Sequence, residues 1–138
     1  MIVSTSLIEV RYAETDKMGV VHHSHYPVYF ELGRTRFFEE HLRPYRDLEL
    51  EGLFCPVLSY ELSLSSSLKY GDTLRLETFP ESFRGLRAIL AYRGYLGDNL
   101  VVKGSSVHAM TGSDLRACHP RKLPDCYREL KENFLNLL

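Results

Sequence analysis

The sequence predicts an α+β domain: a single antiparallel five-stranded sheet wrapped around one long central helix, with a second helix at the C-terminus. Three observations predict it. An apolar alternation of period two near the N-terminus gives way to a helical period from Tyr26 and returns for four runs after Gly52. The later runs are separated by short turn signals, which join antiparallel neighbours. The helical stretch is apolar around much of its first half, and such a helix is buried by an enveloping sheet.

Leu7 to Tyr12 reads as the first strand, with Ile8, Val10 and Tyr12 on one face and Glu9 and Arg11 on the other. Ala13 to Ser24 has neither period and reads as an ordered loop. Tyr26, Tyr29, Phe30, Gly33 and Phe37 then fall at helical spacing, predicting a helix from Tyr26 to Leu42 with Ser24 as its cap and Pro27 in its first turn. Val28 and Leu32 lie on its other faces. Pro44 to Gly52 suggests a short second helix. Leu58, Tyr60, Leu62 and Leu64 mark the next strand, and Leu74, Leu76 and Thr78 the one after. Ile89 to Leu96 and Val101 to Thr111 form a hairpin through Gly97-Asp98-Asn99. Pro124 and Asp125 open the terminal helix, whose stripe is Cys126, Leu130, Phe134 and Leu137.

Bulk properties narrow the function. The chain has 138 residues, 44% hydrophobic and 25% charged, which suits one domain spanning 1–138. Seventeen Lys and Arg against eighteen Asp and Glu give a net charge of −1, so no global field favours nucleic acid or a membrane surface. Cys55, Cys118 and Cys126 form no CxxC pair and no even framework, as expected of free thiols in a reducing compartment. No secretory leader pattern and no run long enough to span a bilayer is present, so a cytoplasmic protein is expected.

Reactive residues are densest in Arg11-Tyr12-Ala13-Glu14-Thr15-Asp16-Lys17-Met18-Gly19-Val20-Val21-His22-His23-Ser24-His25-Tyr26. This segment sets a carboxylate, Asp16, just before a helix N-terminus. Unpaired N–H groups and the positive end of the dipole at such a terminus can stabilise an oxyanion, and a nearby carboxylate can serve as base or nucleophile. Asp16 can equally cap a turn. His22, His23 and His25 invite a metal reading, but no third ligand or supporting shell is visible, and no metal is expected.

The same segment, followed by Tyr29-Phe30-Glu31-Leu32-Gly33-Arg34-Thr35, resembles the signature of the 4-hydroxybenzoyl-CoA thioesterase family, and the element order agrees over the whole chain. The resemblance implies the hot-dog fold and hydrolysis of an acyl-CoA, aromatic or short-to-medium in chain length, with no cofactor beyond the CoA of the substrate. It makes Asp16 the catalytic carboxylate, as nucleophile or as general base. It places the carbonyl oxygen on the backbone N–H of His23, whose ring is a further candidate, and gives Gly19 the close turn of the loop. Glu31 becomes a supporting residue whose expected partner is Arg34 or another neighbour. Arg84 and Arg87, flanking a family-like Arg-Gly turn, join Lys69 and the Arg121-Lys122 pair as contacts for the CoA phosphates. The resemblance also implies a homodimer or homotetramer with active sites at the subunit interface, the acyl group lying against Tyr26, Tyr29 and Tyr60. Two other readings keep this fold: a hydratase or dehydratase of acyl thioesters, and a non-catalytic module that binds acyl-CoA or an acyl carrier protein.

Overall fold

The computed structural model describes residues 2–138. Its strands are β1 (Ser4–Glu9), β2 (Val57–Leu64), β3 (Thr73–Arg84), β4 (Arg87–Leu96) and β5 (Asn99–Ala109), and its helices are α1 (Tyr26–His41), α2 (Tyr45–Leu50) and α3 (Cys126–Asn136). The strands form one sheet in the order β1-β3-β4-β5-β2, and every pairing is antiparallel.

A meander of β3, β4 and β5 is the middle of the sheet because both of its connections are two residues long. Arg84 pairs with Arg87 around Gly85-Leu86, and Leu96 pairs with Asn99 around Gly97-Asp98. Each loop opens with a glycine at positive φ, 57° for Gly85 and 59° for Gly97, which matches the right-handed twist of the flanking strands. Asn99, expected in the turn, is therefore the first residue of β5.

The alternation in β3 buries Leu74, Leu76, Thr78, Pro80 and Phe83 against the helices. α1 lies across this face, burying Tyr26, Tyr29, Phe30, Gly33, Arg34, Phe37 and Phe38. Phe30 stacks on Tyr92 of β4 with ring centroids 4.2 Å apart, and its full burial contributes about 2–3 kcal/mol. Two glycines permit that approach. A Cβ on Gly33 would meet Leu76 Cδ2 at 2.8 Å, and one on Gly104 would meet Phe30 Cε2 at 3.0 Å.

Three expectations are corrected. Strand β1 ends before Tyr12, because Glu14 Oε1 accepts the Arg11 backbone N–H and draws Tyr12–Glu14 into a tight turn. Tyr12 is thereby exposed, edge-on to Tyr70, while Ile8 and Val10 are buried as expected. Ser24 does not cap α1. It lies in a turn, His23–His25, that runs directly into the helix, and its hydroxyl pairs with His22 Nδ1 at 2.8 Å. The sheet does not envelop α1 completely either, since Val28 and Leu32 are exposed on the face turned away from the strands.

Candidate active site

The loop between β1 and α1 is held at both ends. An isolated bridge joins Thr15 to Val21, the Asp16 N–H reaches Val20 O at 2.9 Å, and Gly19, at φ 79°, turns back to donate to Asp16 O. The β2–β3 connection supports it from the side, with Val21 N–H donating to Leu68 O and Val10 N–H to Asp72 O.

Beneath the loop lies a carboxylate that sequence reasoning left unassigned. Glu14 is 4% exposed; its Oε1 accepts the Tyr29 hydroxyl at 2.9 Å and the Arg11 N–H at 2.9 Å, and its Oε2 accepts the Arg11 guanidinium. Burial alone would raise its pKa, but the hydrogen bonds from the Arg11 backbone, Tyr29 and the Arg11 side chain together hold it below the ordinary carboxylate range. The sequence signal was the motif itself: a Glu two residues before Asp16 and fifteen before Tyr29.

Asp16 is half-exposed at the top of this clamp. Its Oδ1 accepts the Met18 N–H at 2.8 Å, so the turn-capping reading describes one oxygen. The other makes no hydrogen bond among the described residues. The His23 ring, exposed, lies tilted against His22 with ring centroids 4.0 Å apart. His22 O and Nδ1 take the N–H groups of His25 and Ser24, while the His23 N–H finds no acceptor among the described residues.

The other expected site residues fall into separate places. Lys69 is exposed on the connection that braces the loop. Arg84 and Arg87 are exposed at the β3–β4 turn, whose Gly85 carbonyl accepts both the Tyr127 hydroxyl at 2.9 Å and Lys131 Nζ at 3.0 Å. Arg121 and Lys122 are exposed in a turn before α3. Tyr26 and Tyr29, expected at the acyl pocket, are both 1% exposed in the protomer, and the Tyr29 hydroxyl donates to Glu14. Glu31 is exposed and forms no ion pair with Arg34, because Arg34 turns inward beneath the helix and Glu31 outward.

Arg34 opens a buried polar chain. Its Nη1 donates to Tyr60 Oη and Tyr92 Oη, both at 3.3 Å; Tyr92 Oη lies 2.6 Å from Ser106 Oγ, and Ser106 Oγ 2.7 Å from His108 Nε2. With the proton on Nδ1 facing Cys55 O, the neutral imidazole completes a continuous run of donors into acceptors. Burial, then the neighbouring Arg34 charge, pushes His108 down to about 4, so it is neutral at pH 7.

A long helix packed on a five-stranded antiparallel sheet, with a carboxylate loop leading into that helix, defines the hot-dog class of fold. Residues 10–132 match the family model of the thioesterase-like superfamily, and the chain belongs to that superfamily. It is 38% identical over 109 residues to the candidate acyl-CoA thioesterase YneP of Bacillus subtilis, covering 78% of this chain and 79% of that protein. Among solved structures, a hypothetical protein of Thermus thermophilus superposes with a TM-score of 0.88 at 30% identity, over 99% of this chain and 98% of the other. The DHNA-CoA thioesterase of Staphylococcus aureus gives 0.88 at 28% identity, over 99% and 93%. The chain is thus an enzyme of the thioester-hydrolase class. No helix among the described residues is long and apolar enough to cross a membrane.

Proposed function

We propose that this chain hydrolyses an aromatic or short-to-medium-chain acyl-CoA to the free acid and CoA, with Asp16 as nucleophile or general base. The observation that carries the reading is the juxtaposition, in one clamped loop, of a carboxylate oxygen without a partner and an N–H at the helix entrance without an acceptor. The thioester carbonyl oxygen would rest on the His23 N–H and the N-terminal end of α1, which favour the negative charge that develops there. Asp16 would attack the carbonyl carbon, giving a mixed anhydride that water opens, or would take a proton from the attacking water. In either route the C–S bond breaks and the thiol leaves as CoA. No metal or bound cofactor takes part in this scheme.

Lys69, Arg84 and Arg87 suit the CoA phosphates, being exposed cations on turns beside the loop or at the end of the sheet. The aromatic option draws support from the naming of the Staphylococcus aureus relative as a DHNA-CoA thioesterase. A homodimer or homotetramer, working in the cytoplasm, is part of the same proposal. Its support is the edge strand β2, which leaves Val57, Leu58, Tyr60 and Leu64 exposed, an apolar seam of the kind a partner sheet covers, and Val28 and Leu32 of α1 are exposed as well. The acyl group would enter along that seam, with Tyr60 and Glu31 at its wall.

The test is thiol release by wild type and Asp16→Ala on acetyl-, hexanoyl-, benzoyl- and hydroxynaphthoyl-CoA. The expected result is turnover on at least one ester and a loss of roughly 10²–10⁴-fold in the variant, with the fold intact by circular dichroism. Equal rates in both proteins would remove Asp16 from the chemistry. No release in either would put a binding module or a hydratase in its place.

A further inference from the structure

Arg34 carries a charge that no ion pair among the described residues neutralises. It is 5% exposed, whereas the neighbouring Arg36, Arg43 and Arg46 each pair with a carboxylate. Among the described residues Arg34 forms no ion pair, and its two hydrogen bonds, both from Nη1 and both 3.3 Å long, go to phenols. Tyr45, Tyr92, Cys55 and His108 around it are uncharged at neutral pH, and Glu31 and Glu49 of the same cleft are exposed and form no ion pair with it. Burial raises the phenols of Tyr45 and Tyr92, pushes the Cys55 thiol up to about 12, and pushes His108 down to about 4. A buried guanidinium is costly unless an anion meets it.

The space for that anion is present. Arg34 lines an open cleft of about 560 Å³ between α1, α2 and the start of β2, walled by Thr35, Tyr45, Phe54, Pro56 and Leu115. The Tyr45 hydroxyl in the same cleft is buried, lies beside the Arg34 guanidinium and has no acceptor for its proton. A cation without a counter-charge and a hydroxyl without an acceptor therefore share one cleft with apolar walls. Its size is that of a small-molecule site.

We propose that this cleft binds a carboxylate borne on a small apolar body, held by Arg34 and Tyr45. The rim argues for a single negative charge, because Glu31 and Glu49 stand at the mouth with Arg46 and weigh against phosphate or a polyanion. Leu115, whose φ of 57° holds a leucine in the left-handed region, covers one side of the cleft and turns an apolar side chain to the ligand body. The carboxylate has two sources, a free carboxylic acid or the distal carboxylate of an acyl group. Only the choice between them rests on the thioesterase reading; the site itself does not.

Two arms test it on the full-length protein. Calorimetric titration with hexanoate and with benzoate measures free-acid binding, and thiol release from hexanoyl-CoA and adipoyl-CoA measures preference for a distal carboxylate. Wild type, Arg34→Met and Tyr45→Phe are compared, the last because it removes one hydroxyl and leaves the guanidinium in place. Saturable binding of either free acid, weakened roughly tenfold or more in Arg34→Met and severalfold in Tyr45→Phe, establishes the free acid as ligand. A kcat/KM preference for adipoyl-CoA that falls by similar factors in the two variants establishes the acyl chain. If neither acid binds and adipoyl-CoA is not preferred, or if both effects survive in Arg34→Met and Tyr45→Phe, the proposal is overturned. Should Arg34→Met fail to fold, Tyr45→Phe alone decides. Wild type that binds a free acid but hydrolyses neither these esters nor benzoyl- and hydroxynaphthoyl-CoA keeps this site and removes the thioesterase reading.

Discussion

Replacing Glu14 by alanine tests whether the loop that carries Asp16 is held from below. Truncation leaves the Tyr29 hydroxyl, on a residue only 1% exposed, without its acceptor, at about 1–3 kcal/mol. Losing the acceptor of the Arg11 N–H adds about 1 kcal/mol, while the Arg11 guanidinium, whose side chain is 75% exposed, adds little. The expected loss is therefore about 2–4 kcal/mol. Tyr29→Phe removes one hydrogen bond and leaves Glu14 its Arg11 partners, at about 1 kcal/mol. With the hydroxyl gone, truncating Glu14 orphans nothing on the helix, so the double variant should be about 1–2 kcal/mol more stable than the sum of the singles. Urea unfolding followed by circular dichroism measures all four proteins, provided the slopes agree. Additivity within about 0.5 kcal/mol would refute the clamp, because the two side chains would then be energetically independent. Since the folded-state pKa of Glu14 is depressed, its contribution is present at neutral pH and is lost as pH falls below the ordinary carboxylate value of 4.5.

Three other outcomes follow from the geometry. Between the ordinary histidine value of 6.5 and the folded value of about 4, unfolded chains take up a proton that His108 refuses, so wild type should lose about 2 kcal/mol between pH 7 and pH 5. Unfolding curves of His108→Gln over that range should be flatter by that amount, and identical slopes would mean that His108 is not held neutral. Tyr127→Phe removes one of two donors to the Gly85 carbonyl and should raise KM for an acyl-CoA severalfold while kcat changes little, because the turn between Arg84 and Arg87 loosens; steady-state kinetics with an unchanged KM would detach that turn from CoA. Gly104→Ala should destabilise by about 1–3 kcal/mol, since the new Cβ would press on the Glu61 carbonyl of β2, which cannot yield as a side chain can; a thermal melt at the wild-type midpoint would show that β2 is free to shift.

Much of the fold was legible because periodicity reports which face of an element is buried. α1 ends one residue from its expected limit, and β4 and α3 fall within a few residues of theirs. The errors sit where a polar side chain competes with the backbone pattern. Tyr12 continues the alternation of Ile8 and Val10, yet the Glu14 carboxylate captures the Arg11 N–H and ends the strand. Ser24 has the chemistry of a helix cap, and His22 takes its hydroxyl instead. The loop bearing Asp16 and Gly19 was readable from its motif. Arg34 was not, because pairing by spacing suggested Glu31, whereas the inward turn of the guanidinium toward Tyr60 and Tyr92 depends on residues far along the chain.

The two-residue turns of the meander also set an order of assembly. β3, β4 and β5 meet through neighbours, whereas β1 must bring Ser4 to Thr78 and β2 must bring Val57 to His108, so the edges close long loops of chain and the centre closes short ones. The loop with Asp16 lies inside the longer of those closures and is braced by Leu68 only once β1 has docked. Pulse-labelled amide exchange during refolding should protect the Tyr92 and Ser106 region before Val21. A chain leaving the ribosome would then own its scaffold for a time without the loop proposed to do its chemistry, and that loop would be the last part to become real.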